Sequence, residues 1–328
     1  MEIGMTFGIA FVITALFGKI WIPFLQRLKA GQSIKEDGPT WHMSKQGTPT
    51  MGGIMFVVGI LIAVVIMGWQ QMMAGEFGHL IIFAFAAVYG AIGFVDDFVK
   101  IRKSQNTGLT ASQKFLLQLA AAIAFVVILR QFGYLTPNLY IPFFNVYWKI
   151  NWVAYMIFAA FVIVATVNAV NITDGVDGLA AGVTIPVSIF FTIVAILWSN
   201  PSQGIFAAAL AGGLCGFLLY NFHPAKVFMG DTGSLFLGGA VCGLAFALDI
   251  PLVIVVVGII YLVETLSDII QIVYFKATHG KRIFRMAPLH HHFEMGGWSE
   301  EKLFFTFSGI TLLFCALAFW GVMGRYVL

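Results

Sequence analysis

Charge is what this chain most lacks. Only 10% of its 328 residues are Asp, Glu, Lys or Arg, and 60% are hydrophobic. Mean hydropathy is +0.92. A typical soluble domain carries about 25% charged residues, so the composition indicates an integral membrane protein. A formal net charge of +3 is too small to suggest a nucleic-acid partner. Cysteine is scarce too. Cys215, Cys242 and Cys315 all fall in apolar runs and read as small hydrophobes, not as a disulfide or zinc framework. No cleavable leader is evident, because the first apolar run exceeds the ~7–15 residues of a signal core and no A-x-A-like site follows it. No internal repeat and no soluble insert stands out.

What is present is a series of long apolar runs. A membrane helix needs roughly 20 mostly apolar residues. Ten runs qualify, at 3–25, 52–69, 79–98, 113–130, 152–170, 179–198, 203–220, 232–248, 251–275 and 303–324. The expected fold is all-α, a single polytopic transmembrane domain over residues 1–328. One connection, "YLTPNLYIPFFNVYWKI" at 134–150, reads as an extended, aromatic-rich β-hairpin. Its Tyr134, Tyr140, Tyr147 and Trp148 suit the headgroup level. An interfacial helix is the other reading, opposed by Pro137 and Pro142.

Lysine and arginine set the orientation. Fourteen of eighteen fall in or beside connections that follow odd-numbered runs, and only Arg130 and Lys149 beside those that follow even-numbered ones. By the positive-inside rule the odd connections face the cytoplasm and both termini face outward.

Five polar clusters interrupt the apolar pattern, and this topology puts all of them on the cytoplasmic face. The first is "GFVDDFVK", with Asp96, Asp97 and Lys100. A carboxylate at a helix C-terminus is disfavoured by about 0.3–1 kcal/mol, and Lys100 can pair with either acid across one turn. Neighbours on a helix point about 100° apart, so the two acids should differ in role. A plain surface ion pair is the bland reading, and catalysis or metal binding the functional one. The second cluster is "NAVNITDGVDGLAAG", residues 168–182. Asn168 and Asn171 should share a helix face. Gly175 and Gly178 should end the helix, leaving Asp174 and Asp177 in a tight turn that either points into a cleft or only satisfies local backbone groups.

The third, "FMGDTGS", carries Asp231 at the start of a run. It is either an N-cap or an Mg²⁺ ligand where a helix N-terminus attracts phosphate. The fourth, "RIFRMAPLHHHFE", places His290, His291 and His292 beside Arg282 and Arg285. Consecutive histidines diverge, which suits a polyanion-binding loop better than a zinc site. The fifth, "KQGTPTMGG", offers Lys45, Thr50 and glycine N–H groups, a phosphate cradle or else a flexible loop. Acids, cations and phosphate cradles on one face argue for Mg²⁺-dependent phosphate chemistry. A transporter would keep its charged site near the bilayer midplane, and Glu264 and Asp268, deep in the ninth run, hold that alternative open.

The motifs "GTPTMGG", "GFVDDFVK", "NAVNITDGVDGLAAG", "NFHPAKVFMGDTGS" and "MAPLHHHFE" together closely resemble the phospho-N-acetylmuramoyl-pentapeptide-transferase family. The acid pair and the "NxxNxxDGxDGL" pattern alone would mark only the wider polyprenyl-phosphate sugar-1-phosphate transferases. The resemblance implies a reaction in which undecaprenyl phosphate attacks the β-phosphate of UDP-N-acetylmuramoyl-pentapeptide and UMP leaves. It also implies Mg²⁺, a homodimer in the bacterial plasma membrane, and a ninth helix that bends away to open a lipid groove. Asp231 then matches the Mg²⁺ ligand, and Asp96 and Asp97 the essential acids, one of them base or nucleophile. Asn171, Asp174, Asp177 and Asn221 match the nucleoside side of the pocket, with Lys45 and Thr50 nearby, and Asn168, one turn before Asn171, is a further substrate-binding candidate. Phe228 matches a ring that stacks on uracil. Lys100 and Lys114 match cations near the phosphates, His290, His291 and His292 the loop beside the diphosphate, and Gln271 a polar residue of the outer cleft.

Overall fold

The structure is a computed structural model that describes residues 2–28, 45–103 and 108–326. Lys29 and Lys35, both part of the charge bias, lie outside the described residues, as does most of the 26–51 connection. Each of the ten apolar runs contains helix, as a chain in lipid must when its backbone polar groups have no water to bond. The helices are α1 (Glu2–Arg27), α2 (Gly53–Met67), α3 (Trp69–Met73), α4 (Gly78–Lys103), α5 (Ala111–Gln131), α6 (Trp152–Thr173), α7 (Leu179–Leu197), α8 (Pro201–Asn221), α9 (Gly230–Ala247), α10 (Ile254–Val257), α11 (Ile259–Ala277), α12 (Leu289–Glu294) and α13 (Glu300–Tyr326).

The ten runs are not ten equal spans. Eight helices among the described residues are long and apolar enough to cross a membrane, and a bent pair would make nine. The ninth run is that pair: residues Pro251–Val257 and Ile259–Ala277 meet at 78°, with Gly258 at the break. The second run gives α2, only 15 residues long. At 1.5 Å per residue it covers about 22 Å, short of a hydrocarbon core of about 30 Å. Hydropathy reads apolar length but not where a helix stops.

The expected hairpin is present. Strands β1 (Asn138–Ile141) and β2 (Val146–Lys149) pair antiparallel, with Asn138 opposite Lys149 and Ile141 opposite Val146. Tyr147 and Trp148 are exposed, as the headgroup reading requires. Tyr140 is not: it is fully buried, and its hydroxyl donates to the Gly321 carbonyl of α13. Leu139 and Tyr140 are both buried while β2 is exposed throughout, so the cover comes from α13 and not from strand alternation.

Burial sorts the helices into an inner and an outer set. The most apolar 18-residue window of α9 is 89% buried, whereas those of α1, α5 and α13 are 28% buried. The outer helices expose Leu16, Ile20, Leu116, Leu313 and Trp320, a surface suited to lipid. Between α4 and α9 the contact is closest, and small residues make it so. At Gly93 a Cβ would sit 2.1 Å from the carbonyl oxygen of Asp231. Only hydrogen fits there, and α4 can lie directly on the first turn of α9. Asp97 follows one turn later on the same face and is carried to the α9 N-terminus.

This seam can be tested. Gly93→Ala should lower stability by about 1–3 kcal/mol through overpacking, against the gain in helix propensity that alanine normally brings. Gly8→Ala is the control, since a Cβ there meets nothing within 4 Å, and it should be neutral or stabilising. Thermal unfolding in detergent measures both, and equal behaviour of the two variants would refute the close-approach argument.

Candidate active site

Helix α9 begins with no side chain of its own as a cap. Its first turn is capped instead by Asp97 of α4. The N–H of Asp231 donates to Oδ1 at 3.2 Å, and the N–H and hydroxyl of Thr232 donate to Oδ2 at 2.9 and 2.7 Å. Asp97 is 4% exposed, and both its oxygens are committed. The N-cap role considered for Asp231 therefore belongs to Asp97, which frees the Asp231 carboxylate.

Asp231 is then gripped from three other elements. Asn171 of α6 donates to Oδ1 at 3.0 Å. Lys100 of α4 and Lys114 of α5 approach Oδ2 at 3.1 and 2.7 Å. The same two ammonium groups reach Asp96 Oδ2 at 2.6 and 2.9 Å, while Asp96 Oδ1 accepts from the N–H of Leu109 at 2.7 Å. Lys100 thus pairs with Asp96 and Asp231, not with Asp97, and the two adjacent acids do differ in role. Asp96, Asp97 and Asp231 each offer an oxygen, all within 4.8 Å of one another. Three carboxylates against two ammonium groups leave one negative charge in a half-buried recess. Hard oxygen donors at this spacing fit a small divalent cation such as Mg²⁺.

The glycine-rich acid loop lies alongside. Helix α6 ends at Thr173 and α7 begins at Leu179, so Asp174 and Asp177 fall in the turn, as the motif requires. Their surroundings are opposite. Asp177 is 3% exposed and fully engaged: Oδ1 takes Lys45 at 2.7 Å, and Oδ2 takes the N–H of Ala225 at 2.9 Å and His223 Nδ1 at 3.0 Å. It ties together the loops that carry Lys45, the acid turn and Phe228. The Asp174 N–H donates to the Asn171 carbonyl at 3.2 Å, but its carboxyl has no hydrogen-bond partner among the described residues. Burial first, then the carboxylates of Asp231, Asp97 and Asp177, hold its carboxyl well above the usual carboxylate range.

Some expected site residues turn out to be braces. Asn221 accepts from the N–H of Gly178 and donates to the Val227 carbonyl, so its amide fixes two loops. Asn168 donates to Gln118 Oε1 at 2.7 Å. It is drawn toward α5 because a buried amide there needs a partner, and it joins none of the acids. Lys45 is not a free phosphate cation, since Asp177 and Glu300 both hold it. Phe228 is half-buried, and its backbone bonds Pro49 and Gly52, which brings the Thr50 loop beside it. A Cβ on Gly230 would sit 2.7 Å from the Thr50 hydroxyl. The Gln271 amide accepts from Ile283 and Phe284 and donates to the Phe284 carbonyl, which pins the basic loop to α11.

The histidines have three different partners. His290 and Glu264, each 1% exposed, meet at 2.9 Å, and the N–H of His290 also donates to that carboxylate. His291 pairs with Glu294 at 2.6 Å. His292 Nδ1 accepts from the N–H of Arg285 at 3.1 Å, which puts its ring proton on Nε2 when neutral. His290 Nε2 faces Gly175, where a Cβ would come within 2.2 Å, so the acid turn needs glycine at that point. Glu264, the deep carboxylate that kept the transporter reading open, is the anchor of this histidine. Glu264, Glu300, His223 and Thr232 are the contacts that sequence reasoning missed; only Thr232, next to Asp231 in its motif, carried a local signal.

The two acids of the turn should separate experimentally. Asp177→Asn should lower thermal stability, because it weakens a three-donor junction, whereas Asp174→Asn should not. The raised carboxyl of Asp174 means that the folded state holds its proton longer than the unfolded state does, so stability falls as pH rises from the unfolded pKa toward the folded one. The melting-temperature difference between Asp174→Asn and wild type should therefore grow in favour of the variant from about pH 4 toward neutrality. A flat difference across that range would remove the electrostatic account.

Comparison with known proteins agrees with this geometry. Residues 79–249, which hold Asp96, Asp97, the acid turn and Asp231, match Glycosyl transferase family 4. Residues 45–57 match phospho-N-acetylmuramoyl-pentapeptide-transferase signature 1. The chain is 48% identical to the phospho-N-acetylmuramoyl-pentapeptide-transferase of Clostridium acetobutylicum over 313 residues, 95% of this chain and 96% of the relative. It is 44% identical to that of Listeria monocytogenes over 310 residues, 94% of each chain. It is 47% identical to that of Clostridium botulinum over 312 residues, 94% of this chain and 93% of the relative. A buried acid cluster where four helices meet, carried on a chain related end to end to these transferases, places this multi-pass membrane enzyme in the phospho-N-acetylmuramoyl-pentapeptide-transferase family.

Proposed function

We propose that the enzyme transfers phospho-N-acetylmuramoyl-pentapeptide from its UDP donor to undecaprenyl phosphate, with Mg²⁺, at the cytoplasmic face of the membrane. The observation that carries this reading is the cluster of Asp96, Asp97 and Asp231 with Lys100 and Lys114, beside the loops that carry Lys45 and Phe228, which Asp177 and the Phe228 backbone tie together. A phosphate oxygen of the lipid attacks the β-phosphorus of the donor. The bond from that phosphorus to the bridging oxygen breaks, and UMP leaves with the oxygen. One phosphoanhydride replaces another, so the step is nearly balanced and reversible.

Little base is required. A phosphomonoester loses its second proton near pH 6, so the lipid phosphate is already largely dianionic at neutral pH. The barrier is the approach of two anions, and catalysis consists of positioning and screening. Mg²⁺ held by Asp231 with Asp96 and Asp97 would supply concentrated positive charge for the phosphates. Lys100 and Lys114 add to it, and His292 offers its Nε2 proton. Asp97 already serves three donors and Asp96 serves two ammonium groups and a backbone N–H. Those donors draw charge from both carboxylates and blunt them as nucleophiles, which supports single displacement over a covalent intermediate. Phe228 stacks on the base, Asp174 awaits a donor from the substrate, and Asp177 keeps the loops in place.

Purified enzyme with undecaprenyl phosphate should form lipid product from UDP-N-acetylmuramoyl-pentapeptide and none from UDP-N-acetylglucosamine. Asp231→Asn should need more Mg²⁺ than wild type, since a neutral amide is a poorer ligand for a hard cation, and added Mg²⁺ should restore part of its turnover. Product from the second donor alone, or an unchanged Mg²⁺ requirement in Asp231→Asn, would overturn the reading.

The side of the membrane is open to a separate measurement. A single cysteine at Thr278 should be labelled by an impermeant thiol reagent only from the cytoplasm, and one at Asn138 only from outside, as the charge bias predicts. Labelling of both from one side would contradict the assigned orientation.

A further inference from the structure

Glu300 begins α13, where an acid usually needs no explanation beyond the helix dipole. Its side chain does something else. Oε2 accepts from Lys45 Nζ at 2.6 Å and from the N–H of Asp177 at 3.0 Å. Oε1 lies 3.4 Å from His223 Nδ1. The carboxylate is 12% exposed and reaches three segments far from it in sequence: the loop before α2, the acid turn, and the loop after α8. Nothing in its own helix uses it.

The consequence falls on Lys45. An ammonium group has three donors and no acceptor. Asp177 takes one at 2.7 Å and Glu300 takes another at 2.6 Å. These two anchors fix where the third points, and that third has no partner among the described residues. The Lys45 side chain keeps 15% exposure, so the remaining N–H is open to a ligand. A fixed donor of this kind accepts a carbonyl and rejects an amino group. Uracil presents two carbonyls on either side of one N–H, whereas cytosine replaces one of those carbonyls with an amino group.

Building on the UDP-donor reading above, we infer that Glu300, by holding Lys45 against Asp177, is a positioning residue that sets selectivity for a base with a carbonyl where cytosine has its amino group. With Glu300 removed, Lys45 keeps only Asp177 and swings on a flexible four-carbon stem. Its third donor is then no longer aimed, and the acid turn loses the acceptor of the Asp177 N–H. The base-recognition geometry relaxes while the acid cluster around Asp97, capped from α9, is untouched.

The test uses the intact enzyme in detergent, with UMP and CMP as competitive inhibitors against the UDP donor. Wild type should bind UMP more tightly than CMP. Glu300→Ala should narrow the UMP-to-CMP ratio about tenfold, the scale of one net hydrogen bond, and raise the donor KM with the lipid-phosphate KM unchanged. Glu300→Gln keeps an acceptor oxygen and should recover part of the ratio. Glu301→Ala, at the half-buried next position, should match wild type. A Glu300→Ala enzyme that melts lower but keeps the ratio would show a purely structural role and overturn the inference, as would equal rises in both KM values. Wild type that fails to prefer UMP over CMP would instead count against the UDP-donor reading itself.

Discussion

The site depends on one carboxylate serving a helix that is not its own. Asp97 belongs to α4, which runs on to Lys103, yet it accepts three hydrogen bonds from the start of α9, where the helix dipole favours a negative charge. Burial of the group is tolerable only because those donors are present. That single arrangement settles the rest. It orients the first turn of α9, so that Asp231 projects toward Asn171, Lys100 and Lys114, and it leaves Asp96, one residue earlier on α4, facing the same two lysines. Gly93 makes it possible one turn upstream. Packing and chemistry are therefore a single feature: the contact that closes the helix seam also assembles the acids.

A second junction plays the same part for the nucleoside side. Asp177 and Asn221 spend their hydrogen bonds on backbone and on Lys45, and Gln271 spends its own on the basic loop. Polar groups at such a mouth divide into those that hold the loops and those left over for a ligand. Asp174, the half-exposed ring of Phe228 and the third donor of Lys45 are among those left over. Residues that look alike in the motif "DGVDG" thus have opposite states, and a shared motif does not imply a shared role.

Much of this was legible in the sequence. The apolar runs, the aromatic hairpin, the turn at Asp174 and Asp177 and the meeting of all five clusters follow from hydropathy, glycine placement and charge bias, because each of these acts locally or along one helix, whereas the bend in the ninth run was expected from the family resemblance alone. What was not legible depends on partners across the fold. Nothing near Asp97 says that α9 lacks a cap of its own. Nothing near Glu264 says that a histidine 26 residues later will meet it, so a buried carboxylate suggested transport. Tyr140 and Asn168 were misplaced for the same reason, since α13 and Gln118 claim them from a distance. The shortness of α2 escaped because apolar composition continues past its last turn.

The Lys45–Glu300 pair joins residues 255 apart in the chain, and this has a consequence for biosynthesis. A polytopic protein enters the membrane from its N-terminus, helix by helix, and early parts fold before late ones exist. The acid cluster is complete once α9 has been inserted, because all its members precede residue 248. The nucleoside pocket is not: Lys45, among the first polar residues made, has only Asp177 to hold it until α13 arrives as the last helix of the chain. A nascent chain stalled after α9 would thus carry the acid cluster without an aimed donor for the base, and the final helix acts as the latch that makes the pocket selective.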